Sequence, residues 1–259
     1  MAALEENLHS VRARIDAAAR AAGRDPSSVT LLAVSKTWPA DDVRALAALG
    51  QLDFGENRAQ ELVGKAAELA DLPVRWHFVG QLQRNKAAAV ARLGAVVHSV
   101  DRASLAGALD RAGQEGRGRA GEPIEVLLQV DLGGQPGGAA ARGGALPADV
   151  PPLADLVAGA AGLRLRGLMA GAPRGEDPRP AFDRLVTLAA RVRADHPEAV
   201  DISAGMSGDL EAAVAAGSTI VRVGTALFGD RPLPSDGDQN SPATRVTPVT
   251  RSSGTPAGP

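Results

Sequence analysis

The chain has 259 residues, with 28 basic and 30 acidic side chains and a formal net charge of −2, so no long-range field draws it to nucleic acid or to an anionic membrane. With 44% hydrophobic residues it can bury a sizeable core, which excludes disorder for most of its length. It lacks cysteine altogether, which excludes disulfides, thiolate zinc sites, cysteine nucleophiles and cysteine-bound iron–sulfur clusters. Tyrosine is absent as well, so no phenol is available as a general acid or base.

The N-terminal segment MAALEENLHSVRARIDAAARAAG is amphipathic and charged, unlike a secretion signal, and its period predicts a helix over about 3–22. Nowhere do about 18 apolar residues run together, so a cytoplasmic protein is expected. Eight short apolar or β-branched runs follow: 30–36, 51–57, 75–80, 94–100, 124–130, 163–169, 199–206 and 219–225. Each reads as a strand. Helical stretches lie between them at Asp41–Leu49, Arg58–Ala70, Asn85–Leu93, Ser104–Ala112, Ala148–Ala161, Pro180–Asp195 and Asp209–Ala216. Alternation of this kind implies a parallel sheet, and eight units imply a closed (β/α)8 TIM-type barrel with an extra N-terminal helix. Periodicity alone does not decide whether the first and last strands pair, so an open doubly wound sheet is the alternative. The segment DLGGQPGGAAARGGALP over 131–147 reads as a long mobile loop after the fifth strand. Residues 232–259 lack apolar periodicity and are rich in Ser, Thr, Pro, Gly and Asp. They are expected to be a disordered tail, leaving 1–231 as a single barrel domain.

Chemistry is expected where barrel strands end. Lys36, one of three lysines with Lys65 and Lys86, closes the run LLAVSK. A partly desolvated amine there becomes a nucleophile able to form a Schiff base with an aldehyde; the alternative is a strand-end lysine paired with a carboxylate such as Glu56. Ser207 follows the seventh strand, and Gly224 and Thr225 follow the eighth. Loops after these two strands frequently bind phosphate in barrels, which favours an anion site over an ordinary cap and turn. Arg222 shares a side of its strand with Ile220 and Gly224. Pointing inward it needs an acceptor, a ring nitrogen or a carboxylate; pointing outward it pairs with a helix. Asn57 and His77 also fall at strand ends, where for each taken alone an ordinary structural polar residue is the favoured reading. No Walker loop and no GxGxxG is present, and His9, His77, His98 and His196 show no metal-ligand spacing.

Taken in order, AVSKTWP, FGENRAQE, WHFVGQLQRNK, RLRGLMA and GMSGDLEAAVAAGSTIVRVGTALFG resemble the pyridoxal phosphate homeostasis protein family, whose fold is similar to the barrel domain of alanine racemase. The resemblance covers about residues 5–230. It implies pyridoxal 5′-phosphate held as an internal aldimine on Lys36, with its phosphate at Ser207, Gly224 and Thr225. It further implies Arg222 facing the pyridine nitrogen and Asn57 beside the cofactor. In the loop after the fifth strand, where relatives often carry an Asn-rich segment with Lys and Gly, this chain has DLGGQPGGAAARGG. The implied role is a carrier that limits free pyridoxal phosphate and supplies it to acceptor apoenzymes, without substrate turnover and without metal. The alternative is a weak pyridoxal-phosphate-dependent amino-acid racemase, although a racemase of this fold draws its second base from a tyrosine. A phosphate-sugar barrel enzyme without cofactor is a third possibility.

Overall fold

The structure is a computed structural model that describes residues 2–117, 121–133, 143–173 and 175–229. Its strands are β1 (Thr30–Val34), β2 (Asp53–Glu56), β3 (Arg75–Phe78), β4 (Val96–Val100), β5 (Ile124–Gln129), β6 (Leu163–Met169), β7 (Asp201–Ser203) and β8 (Ile220–Val223). They form a closed barrel in chain order, every pairing parallel. Closure is made by β1 against β8, in register from Thr30↔Ile220 to Ala33↔Val223. The open-sheet alternative is therefore overturned. β4 is buried at all five positions, as expected of a parallel strand covered on both faces.

Helices are α1 (Ala2–Ala21), α2 (Ala40–Ala48), α3 (Ala59–Glu68), α4 (Ala87–Ala91), α5 (Ala103–Ala112), α6 (Val150–Ala158), α7 (Pro178–Asp195), α8 (Leu210–Ala216) and the single turn α9 (Thr225–Phe228). α1 buries Leu8, Val11, Ile15, Ala18 and Ala19, a spacing of three and four that puts one stripe on the barrel wall. α7 begins where the Asp177 carboxylate accepts the Arg179 N–H at 3.0 Å, with Pro178 at its first position. No helix of the described residues is long and apolar enough to cross a membrane.

Differences from the expected boundaries have local causes. β2 starts at Asp53 rather than residue 51 because the Gln51 carboxamide turns inward, donating to the Leu31 and Asp53 carbonyls at 2.8 and 2.9 Å. α4 is preceded by a tighter turn over Arg84–Lys86, so the expected helix over 85–93 is split. β7 is only three residues long, and after it Gly205, at φ +90°, breaks the extended backbone while its carbonyl still accepts the Arg222 N–H at 2.9 Å. The expected loop over 131–147 falls in part on residues 134–142, and the expected tail on 232–259, both outside the described residues. The two ends of that loop are joined: Val130 bridges Ala145, with Asp131 N–H donating to the Ala145 carbonyl at 2.9 Å.

A side chain at Gly205 meets two obstacles, the positive φ and an approach of 2.6 Å between its Cβ and that of Ala213. Gly205→Ala is expected to cost about 2–3 kcal/mol, read as a lowered urea midpoint at unchanged slope.

Candidate functional site

The C-terminal ends of β7, β8, β1 and β2 bring together most of the residues singled out above. Lys36 lies two positions past β1 and is half-buried. The next residue, Thr37, has φ +70°, a left-handed conformation that costs a β-branched residue about 1–3 kcal/mol and needs external support. The support comes from α3. Glu61 Oε1 accepts the Thr37 N–H at 2.5 Å, and the Lys65 ammonium donates to the Ser35 carbonyl at 2.7 Å. The backbone on both sides of Lys36 is thus tied down by one helix.

Lys65 is the centre of a buried ionic cluster. Its Nζ lies 2.6 Å from Glu56 Oε1 and 2.9 Å from Glu61 Oε1, and the Ser35 hydroxyl donates to the same Glu56 oxygen at 2.7 Å. Glu56 is fully buried, and its Oε2 makes no hydrogen bond among the described residues. Burial raises its pKa, against the lowering effect of its bonds to Lys65 and Ser35. Glu56, suggested as a partner for Lys36, is therefore the partner of Lys65. Sequence reasoning had missed Lys65, although it sits between Leu62 and Leu69 at helical spacing on the face of α3 that turns inward.

At the corner between β7 and β8, the Ser207 hydroxyl accepts the Ala226 N–H at 3.2 Å. Gly224 comes so close to β1 that a Cβ there would lie 3.2 Å from the Val34 carbonyl. Thr225 opens α9 and is exposed. Arg14 of α1, also missed in the sequence, braces this corner by a bidentate pair with Glu211 at 2.7 and 3.0 Å and a bond to the Ser207 carbonyl at 2.9 Å. Trp38 stacks on Phe228 with centroids 5.7 Å apart, packing the turn after Lys36 against α9.

Arg222 points into the barrel and is buried. Its Nη1 donates to the Ser203 carbonyl at 2.6 Å and hydroxyl at 2.8 Å, and its Nη2 to the Ala170 carbonyl at 2.9 Å. The inward alternative thus holds, but the acceptors are backbone and hydroxyl oxygens where a carboxylate or ring nitrogen had been expected. Burial lowers its pKa to about 10, with the charge of Asp209 acting in the opposite sense. His77 is corrected too. It lies inside the barrel, bonded to Asp53 and His98, and not at the mouth. Asn57 follows β2 and is half-buried. Among the described residues no group of three or more His, Cys, Asp or Glu is placed to hold a metal ion.

The chain matches the family model described as alanine racemase, N-terminal domain, over residues 5–232. It is 47% identical over 237 residues to the pyridoxal phosphate homeostasis protein of Pseudomonas aeruginosa, covering 89% of this chain and 97% of that one. The chain belongs to the pyridoxal phosphate homeostasis protein family. A second family member, from Mycobacterium tuberculosis, is 45% identical over 245 residues, covering 89% of this chain and 93% of its own. Among solved structures, PipY of Synechococcus elongatus PCC7942 with PLP bound superposes with a TM-score of 0.74 at 38% identity, over 87% of this chain and all of that one. Alanine racemase from Streptomyces coelicolor, at 22% identity and a TM-score of 0.67, covers 88% of this chain but 58% of its own and shares the fold. In this member of the homeostasis family, α3 and the buried Lys65–Glu56 pair shape the turn that carries Lys36.

Removing the ammonium strands a buried carboxylate, so Lys65→Met is expected to destabilise the fold by about 3–5 kcal/mol at neutral pH. Because the folded-state pKa of Glu56 is raised, its contribution to stability is complete at low pH and is lost as pH rises through that value. The deficit of the variant, followed by denaturant titration, should therefore shrink as pH falls into the ordinary carboxylate range.

Proposed function

We propose that this protein binds pyridoxal 5′-phosphate (PLP) reversibly at the C-terminal mouth of the barrel, holds it on Lys36 and takes part in PLP homeostasis without turning over a substrate. The observation that carries this reading is the gathering of three different chemistries on adjacent strand ends. These are an amine after β1, a buried cation on β8, and a hydroxyl with a glycine corner after β7 and β8. PLP needs all three, for its aldehyde, its ring nitrogen and its phosphate. The PLP-bound PipY structure at 38% identity supports the choice of ligand.

In this reading the neutral Lys36 amine attacks the aldehyde carbon and one water leaves, giving a covalent imine that water reverses. Ser207, Thr225 and the backbone of Gly224 hold the phosphate, and the Asn57 carboxamide lies beside the ring. When bound, PLP supplies an electron sink whose strength depends on protonation of its pyridine nitrogen. Arg222 donates to that nitrogen. At a pKa of about 10 the guanidinium keeps its own proton, so the sink stays weak. Together with the absence of tyrosine from the sequence, this supports a carrier over a racemase. Reversibility of the imine allows release to PLP-accepting apoenzymes.

Added PLP is expected to give an absorption band at about 420 nm that borohydride traps on Lys36 and that Lys36→Ala abolishes. A label on Lys65 or Lys86, or no band, removes this assignment. In heavy water the loaded protein should exchange the α-hydrogen of alanine no faster than free PLP, and faster exchange would favour the racemase.

A further inference from the structure

A line of hydrogen bonds crosses the barrel interior from Arg222 to the opposite mouth. Arg222 Nη1 donates to the Ser203 hydroxyl at 2.8 Å; Ser203 Oγ lies 3.0 Å from His98 Nδ1; His98 Nε2 lies 2.9 Å from His77 Nδ1; and His77 Nε2 lies 3.0 Å from Asp53 Oδ1. Ser203 is on β7 and His98 on β4, strands that are not neighbours in the sheet, so their bond spans the inside of the barrel. His77, His98, Ser203 and Arg222 are all buried. Asp53 opens β2 at the other mouth and lines a pocket of about 300 Å³ with Arg12, Asp16 and Gln51.

The proton positions along this line have one consistent solution. A guanidinium only donates, so Ser203 Oγ accepts from it and turns its own single proton to His98 Nδ1. His98, neutral because burial and the charge of Arg222 disfavour its cation, then carries its proton on Nε2 and donates to His77 Nδ1. His77, kept neutral by burial, carries its proton on Nε2 and donates to Asp53. The carboxylate accepts at the far end, so working from either terminus gives the same assignment. Every link polarises the next in one sense, drawing electron density from Asp53 toward the oxygen that receives Arg222.

We propose that Asp53, His77, His98 and Ser203 act as one relay that orients and holds the Arg222 guanidinium for the cofactor ring, with Asp53 as a remote counter-charge in addition to Asp209. These four are positioning residues, since they act through Arg222. The proposal rests on the PLP reading given above. No carboxylate contacts Arg222 among its described hydrogen bonds, and the relay supplies what a contact carboxylate otherwise would. Ser203 further ties Arg222 to β6, because its carbonyl accepts both Arg222 Nη1 and the Ala170 N–H.

The test has two independent arms. Long-range ¹H–¹⁵N correlation spectra of the cofactor-free protein should show His77 and His98 as neutral Nε2–H tautomers at neutral pH; a Nδ1–H tautomer or an imidazolium at either position overturns the relay whatever the ligand. Spectroscopic titration with PLP should then show a dissociation constant raised by about tenfold in Ser203→Ala, recovered in Ser203→Thr, and raised by at least about threefold in Asp53→Asn, where the fold survives but the charge is gone. Affinity of a folded Asp53→Asn within about twofold of the parent would reduce the line to a structural network and overturn the proposal. If the parent protein gives no PLP band while the tautomers are as expected, the cofactor reading fails and the tautomer assignment stands.

Discussion

The site depends on a cation held inside the barrel without a carboxylate in contact. A buried guanidinium cannot relieve its cost by deprotonating under ordinary conditions, so its donors need acceptors. Here the oxygens come from the ends of β6 and β7, at Ala170 and Ser203. Arg222 therefore acts as a cross-tie between β8 and the two strands before it. The same bonds that satisfy the charge also aim it, which joins stability to the chemistry assigned to the mouth.

A second polar cluster serves the other side of the site. Lys65, Glu56, Glu61 and Ser35 are packed beneath the β1–α2 turn, and they compensate the unfavourable backbone at Thr37. Buried ion pairs seldom add net stability compared with apolar packing, but one broken partner is costly. Their effect in this barrel is geometric: the residue that carries the amine lies between two anchored neighbours. Arg14 and the Trp38–Phe228 stack do the equivalent for the corner after β7 and β8.

The placement of Lys36, Asn57, Ser207, Gly224 and Thr225 was legible because the βα alternation dictates one face for every strand end, and each of these residues closes or follows a strand. Arg222 was legible as a strand residue on the side of Gly224, but its direction and its acceptors were not. Lys65 left a faint trace, a lysine on the inward face of α3. Ser203 and His98 left none that points to function, since a serine and a histidine in short apolar strands are ordinary barrel fillers. Arg14 looked like one charge among several on α1, and its bond to Ser207 joins residues 193 positions apart in the chain.

The sequence by itself determined the number and order of the strands, the parallel arrangement and the end of the barrel on which the candidate residues gather. These follow from local periodicity and from the handed, short connections of βα units. Only the tertiary structure decided that β1 pairs with β8, that His98 reaches Ser203 across the interior, and that Glu56 takes Lys65 as its partner. The first two join groups far apart in the chain across a closed surface, and local patterning carries no information about which distant groups closure brings within hydrogen-bonding distance. Glu56 and Lys65 lie nearby in the chain, on β2 and on the α3 that follows it, and their pairing is set by how that helix packs back on the strand end, which the period of neither element states.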